Sequence, residues 1–228
     1  MLVWERPEPP SRPTPSPLSR ERIVRAAIDL ADREGLDAVS LRKVAAALDA
    51  GPMRLYGYLS TKEELLDLMV DEVYGEVVPS EPPGGDWRAA LRELARRMRQ
   101  AALRHEWFAD LLGGRPQLGP NALAYLETSL TALKDVPVTA TLRVVSTVNA
   151  YVMGAVRREI TELRVERASG LDEQEWRSTV GPYLTRMLAT GRYPEVAKFV
   201  AGEDVQPDFD EGLDWVLDGV APHVTGAP

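Results

Sequence analysis

The 228-residue sequence predicts an all-α chain, with an N-terminal three-helix domain that contains a helix-turn-helix and a C-terminal helical bundle that dimerises. Three observations predict it. Apolar residues recur at three- and four-residue spacing along nearly every segment. These segments open on Ser, Thr or Asp and close on Gly or Pro, the usual start and stop signals of helices. No stretch shows the strict alternation of a half-buried strand, and no internal repeat is present. The length suffices for one or two domains with a real core.

Residues 1–18 hold six prolines (Pro7, Pro9, Pro10, Pro13, Pro15 and Pro17). Such a segment forms no helix and has little to bury, so it reads as a disordered or extended arm. It is either a tail without function or an arm whose Arg12 reaches into a DNA groove. The first helix spans Ser19–Glu34, with Ile23, Ala27, Leu30 and Ala31 inward, and stops at Gly35. Arg20, Arg22 and Arg25 form its outer face, either solvated or placed on phosphates. Ser40 caps a short helix, Leu41–Leu48, which Asp49-Ala50-Gly51 breaks. Pro52 suits the first position of a second short helix, Met53–Leu59, which puts Leu55 and Leu59 on one side. Two short helices joined by a tight Gly-containing turn form a helix-turn-helix, whose second helix can enter a major groove.

Thr61 and Glu64 make a capping box for a connecting helix that runs to about Val77. Its free N–H groups beside Lys62 form a seat for a phosphate. Residues 19–78 therefore form one unit, and Pro79–Gly85 marks a hinge before a second unit over residues 86–222. In that unit Trp87–Arg104 carries Leu91, Leu94, Ala95, Met98 and Ala102 on one side. Trp107–Leu112 is short. Asn121–Leu133 carries a Leu123, Leu126 and Leu130 stripe, and Val138–Arg167 is the longest pattern. Asp172 with Glu175 opens a helix to about Ala189, Glu195–Val200 is a short turn, and Asp208 with Glu211 opens Phe209–Val220.

The net charge of −8 is unevenly spread. Ser19–Lys62 holds eight basic and six acidic residues, residues 1–18 balance, and the remainder carries −10. The asymmetry marks the N-terminal part as the one that faces DNA. With no cysteine there is no disulfide and no thiolate chemistry. No apolar run approaches the roughly 20 residues that span a bilayer, and the start MLVWERPEPP lacks the layout of a signal peptide. A cytoplasmic protein without a membrane partner is expected. His105 and His223 are far apart and in no metal-ligand spacing, and GxGxxG, P-loop and GxSxG motifs are absent. The chain is therefore expected to bind no metal or cofactor and not to be an enzyme; a small helical enzyme is the remote alternative.

Residues 41–66, LRKVAAALDAGPMRLYGYLSTKEELL, resemble the DNA-binding motif of the tetracycline-repressor family of bacterial regulators. The shared features are the length of the motif, Leu55-Tyr56, Tyr58 and Lys62-Glu63-Glu64-Leu65. With the preceding helix the resemblance covers about residues 19–75, and a weaker one runs through the rest. It departs from the family at Asp49, where Gly is frequent. The resemblance implies a homodimeric repressor of a palindromic double-stranded operator, released by a small ligand. A DNA-binding regulator without an inducer is the alternative.

By position, Arg42 would reach a base edge or a phosphate, and Arg54 would read bases. Pro52 and Met53 would meet a thymine methyl. Tyr56, Tyr58 and Lys62 would hold phosphates, and Gly57 would leave room for close approach. The ligand site implied for the C-terminal domain draws on Met98, Trp107, Phe108, Leu111, Tyr125, Asn149 and Met153, with Asn149, Thr128 and His105 as its polar groups. Such a lining favours a neutral apolar or aromatic effector. Trp107, Phe108, Tyr125, Tyr151 and Trp176 are equally readable as core. The two-fold contact is expected from Val138–Arg167, through Leu142, Val145, Val148, Val152 and Val156, and from Phe209–Val220.

Overall fold

The computed structural model describes residues 2–9, 17–80, 86–113, 117–170, 173–202 and 208–225. Among them are eleven α-helices, two 3-10 turns and no strand. In α1 (Arg20–Glu34) the Ser19 hydroxyl accepts from the Arg22 N–H, and Gly35 ends the helix at φ 83°. The expected stripe of Ile23, Ala27, Leu30 and Ala31 is buried, together with Val24 and Ile28. In α2 (Leu41–Ala47) the Ser40 hydroxyl accepts from the Lys43 N–H. Asp49 then takes φ 50°. That left-handed backbone suits Gly best, but Asp and Asn tolerate it, so the departure at this position leaves the turn intact.

The second motif helix is shorter than its pattern suggests. α3 spans Pro52–Leu55, and Tyr56–Tyr58 is a turn. Leu55 and Leu59 are both fully buried, and the turn at Gly57 swings Tyr58 inward between them. A glycine inside a helix costs about 1 kcal/mol relative to Ala, so the helix gains little by continuing. In α4 (Lys62–Val77) the Thr61 hydroxyl accepts from the Glu64 N–H. The other half of the box differs from expectation. The Glu64 carboxylate accepts from the Ser60 N–H at 2.6 Å, and Arg6 donates to both of its oxygens at 2.7 and 2.8 Å, sharing Oε2 with Ser60.

Arg6 belongs to a segment that the sequence reads as an unpacked arm, and this is corrected for residues 2–9. Val3 is 3% exposed in a 3-10 turn, and Trp4 packs on the same core. The arm's Arg12 lies outside the described residues, as does most of the 79–85 hinge.

The C-terminal helices are α5 (Trp87–Arg104), α6 (Glu106–Leu111), α7 (Pro120–Thr131), α8 (Val138–Ser169), α9 (Glu173–Leu188), α10 (Pro194–Ala201) and α11 (Phe209–Thr225). α5 buries its expected stripe. Arg88, Arg92 and Arg96, four residues apart, pair with Asp218, Asp214 and Asp210 of α11, which run at the same spacing in the opposite sense. Two antiparallel helices are thereby held in register. α7 turns a different face inward from the leucine stripe. Leu123 and Leu126 are exposed, while Ala122, Tyr125 and Ser129 are buried. Asp71 and the aromatic neighbours of Tyr125, described below, set that rotation.

α8 runs for 32 residues and closes on Gly170 at φ 67°. Val145, Val148, Val152 and Val156 are 5% exposed or less. They pack within the chain against α5, α6 and α11, so the valine stripe is core and not the contact surface expected of it. Leu142 and Val138 of α8 and Trp215 of α11 stay exposed. α9 and α10 lie against each other, and Trp176 at 54% exposure is not a core residue. Asp172, expected to cap α9, lies outside the described residues. Asp208 caps α11 as expected, accepting from the Glu211 N–H at 2.7 Å.

Candidate nucleic-acid interface and effector core

α2, α3 and the start of α4 present an exposed face of mixed polar and apolar groups. Arg42, Pro52, Arg54 and Gly57 are exposed, Met53 is 78% exposed and Tyr56 is 50% exposed. Lys62 is partly exposed at the first turn of α4. The side chains beneath them, Val44, Ala45, Leu55 and Leu59, are wholly buried. A rigid support therefore holds Arg42, Arg54, Tyr56 and Lys62, whose side chains make no hydrogen bond or ion pair among the described residues, which is what reading another molecule requires.

Tyr58 does not belong to that face. It is 7% exposed, and its hydroxyl donates to the Leu18 carbonyl at 2.7 Å. The tyrosine is an anchor between the motif and the entry to α1, and its hydroxyl is not available to a phosphate. Gly57 has a neighbour of its own chain, since a Cβ there would lie 3.2 Å from Cγ of Pro9. Arg20 is also turned inward and donates to the Arg6 carbonyl at 2.8 Å. Arg22 donates to the Pro17 carbonyl at 2.7 Å.

The residues expected around a ligand divide into three groups. Phe108, Tyr125 and Asn149 come together with Tyr74 of α4. Tyr74 meets Phe108 edge-on and Tyr125 at a tilt, each at 5.5 Å between centroids. The Tyr125 hydroxyl donates to Asn149 Oδ1 at 2.6 Å, and burial pushes its ionisation above the ordinary range. Met98, Leu111 and Met153 belong to the same core, with Met153 against the loop at Gly113.

His105 and Trp107 form a second group, at the junction with the N-terminal unit. His105 Nδ1 lies 2.9 Å from both carboxylate oxygens of Asp32, and its Nε2 lies 3.1 Å from Glu76. The Trp107 indole donates to Asp32 at 2.7 Å. These two tie α1 and α4 to the start of α6, while the Trp107 ring also packs edge-on against Phe108 of the aromatic cluster, 6.3 Å between centroids. Thr128 is the third case. Its hydroxyl donates to the Ala124 carbonyl, and it borders an open groove of about 630 Å³ with Trp87, Glu127 and Val224.

Sequence reasoning missed Asp71. It is 5% exposed on α4 and accepts from the N–H groups of Asn121 and Ala122 at 3.1 and 2.9 Å. It thus caps α7 from another helix. Burial raises its pKa, against the lowering by those two N–H groups. The signal was slight: Asp71 follows Leu68 by three residues on the apolar side of the helix, with Glu72 beside it.

Comparison with known proteins agrees with both halves of this architecture. Residues 23–69 match the family model for bacterial regulatory proteins of the tetR family, and residues 78–224 match the tetracyclin repressor-like C-terminal domain. The chain is 40% identical over 229 residues to the HTH-type transcriptional repressor DrrR1 of Streptomyces coeruleorubidus, covering 96% of this chain and 83% of the relative. It is 38% identical to an HTH-type transcriptional regulator of Saccharopolyspora erythraea, covering 96% and 91%. Crystal structures of ActR from Streptomyces coelicolor, 28% identical, superpose with a TM-score of 0.77 in the apo form, over 94% of this chain and all of ActR. The complex of ActR with actinorhodin gives the same TM-score over 93% of this chain. The described residues contain no helix long and apolar enough to cross a membrane. An exposed helix-turn-helix face on a buried apolar frame, joined through one helix to an aromatic-cored bundle, and the two matching family models together assign this chain to the tetracycline-repressor family of bacterial regulators.

Proposed function

We propose that the protein is a cytoplasmic transcriptional repressor that binds a palindromic operator as a homodimer and is released by a small aromatic effector. The single observation that carries the DNA part is the exposed set Arg42, Met53, Arg54 and Tyr56, without a side-chain partner among the described residues and held by fully buried Leu55 and Leu59. Arg54 reads base edges from the major groove, and Pro52 and Met53 offer apolar contact to thymine. Arg42, Tyr56 and Lys62 engage phosphates and set the register. Residues 19–78 act as the DNA-binding unit and 86–222 as the effector and dimer unit.

The dimer reading is supported by the exposed apolar groups of the neighbouring helices α8 and α11. Leu142 is 51% and Trp215 69% exposed, and a groove beside Trp215 is lined by Ala150, Gly154, Ala155 and Gly212. A two-fold pairing of these helices sets two α3 helices about 34–36 Å apart, one turn of DNA. The effector reading is supported by the cluster of Tyr74, Phe108, Tyr125 and Asn149 and by the relative ActR, crystallised with actinorhodin. A planar aromatic compound suits ring walls with one polar anchor. Tyr74 lies on α4, so a molecule that displaces it acts directly on the helix leading to the DNA-binding unit.

Gel shifts with DNA flanking the protein's own gene test the first part, and sedimentation tests the dimer. Release of that DNA by planar aromatic compounds tests the effector. Binding without release by any such compound favours a regulator without an inducer. No binding at all refutes the reading.

A further inference from the structure

The N-terminal segment is packed where a free tail was expected, and the place where it packs is informative. Its 3-10 turn contacts α4, with Val3 buried. Arg6 then forms a two-pronged pair with Glu64, in the first turn of α4, with both side chains about one-fifth exposed. Arg20 ties this stretch down by donating to the Arg6 carbonyl and, at 3.4 Å, to the Tyr58 carbonyl. Pro9 finally meets Gly57, in the turn that follows α3. The segment thus touches both ends of the turn that sets the direction of α3.

Resting on the DNA-binding reading, we propose that residues 2–9 are a working part of the DNA-binding unit, in which Arg6 is a positioning residue. It buttresses the turn after α3 and neutralises Glu64 beside the phosphate seat of α4. Two physical arguments support it. Glu64 stands two residues from Lys62, at the end of α4 where a phosphate would approach. An unpaired carboxylate there opposes the phosphate, whereas the Arg6–Glu64 pair does not. The hydrogen bonds from Arg6 lower the pKa of the Glu64 carboxyl, so the charge is present and must be balanced at neutral pH. The close approach of Pro9 to Gly57 leaves the turn little room to shift.

The test uses full-length protein and a duplex that the wild type selects from a random-sequence pool, with an unselected duplex of equal length as control. Arg6→Ala should weaken binding of the selected duplex about tenfold. Arg6→Lys, which keeps the charge without the fork, should recover part of the loss. Arg6→Ala combined with Glu64→Gln should regain part of the loss, because the uncompensated charge is gone while the buttress stays absent; a mere loss of fold stability would not be repaired in this way. Hydrogen exchange over residues 52–60 should be faster in Arg6→Ala. Wild-type affinity in Arg6→Ala, or no recovery in the double variant, overturns the proposal. If the wild type selects no duplex, the DNA-binding reading fails by itself. Exchange over 52–60 then decides the buttress, faster exchange supporting it and unchanged exchange refuting it.

Discussion

Gly119→Ala is expected to be among the costliest small substitutions in this chain. Gly119 has an ordinary φ of −69°, so alanine meets no backbone penalty there. The cost is one of space. A Cβ would fall well inside contact distance of Asp71 Oδ1 and Cγ, and 2.8 Å from Asp71 Cβ. Asp71 cannot swing away without leaving the N–H groups of Asn121 and Ala122 unpaired. Losing that cap costs about 1–2 kcal/mol, and overpacking a buried site costs a further 1–3 kcal/mol or so. The expected loss is therefore about 2–5 kcal/mol, read from urea unfolding. Gly75→Ala is the control. Its Cβ would meet only the end of the Asn121 side chain, at 3.2 Å, and removal of a glycine from the interior of α4 should stabilise by up to about 1 kcal/mol. In an Asp71→Ala background the Gly119 substitution should cost less than alone. A Gly119→Ala protein within about 0.5 kcal/mol of wild type, the scatter of ordinary surface changes, would refute the role given to Asp71.

Arg54→Ala should cost about 1–3 kcal/mol of operator affinity and relax sequence preference, whereas Lys62→Ala should weaken all duplexes alike and flatten the salt dependence; competition and salt titrations separate the two. Tyr58→Phe should lose about 1 kcal/mol of stability, the value of one buried hydrogen bond, with no change in salt slope; a changed slope would return Tyr58 to the phosphate contacts. Glu64 has a lowered native pKa, so the stability it contributes is complete above its ordinary value of 4.5 and is lost as pH falls through the native value. Wild type and Arg6→Ala should accordingly differ in melting temperature at pH 7 and converge in acid.

Local signals in the sequence carried most of the helices. Ser19, Ser40, Thr61 and Asp208 cap where their residue types suggest, and the stripes of α1 and α5 face inward as their spacing requires. Reasoning failed where a distant residue decides the outcome. Nothing near Leu123 says that Asp71, 50 positions earlier than Asn121, will cap α7 and turn Tyr125 inward. Nothing in a proline-rich start says that Arg6 will find Glu64. The exposed face of α3 followed from Pro52 and the Leu55/Leu59 spacing, but the role of Tyr58 did not, because a tyrosine suits a phosphate and a buried carbonyl equally well. His105 and Trp107 are expected around one interior from the elements they lie on, and the spacing of those elements gives no sign of their polar partners on α1 and α4.

Those partners have a mechanical consequence. A packed apolar contact yields gradually as helices slide, whereas a hydrogen bond of 2.7–2.9 Å is forfeited within about an ångström. Asp32 receives the His105 and Trp107 bonds on one carboxylate, so shifting α1 away from α6 breaks them together. The junction behaves as a catch and not as a spring. Once it yields, α1 loses both of these ties to the start of α6 at the same moment. A signal passing through it would therefore arrive as a change in the share of molecules with the catch closed, with few at positions in between.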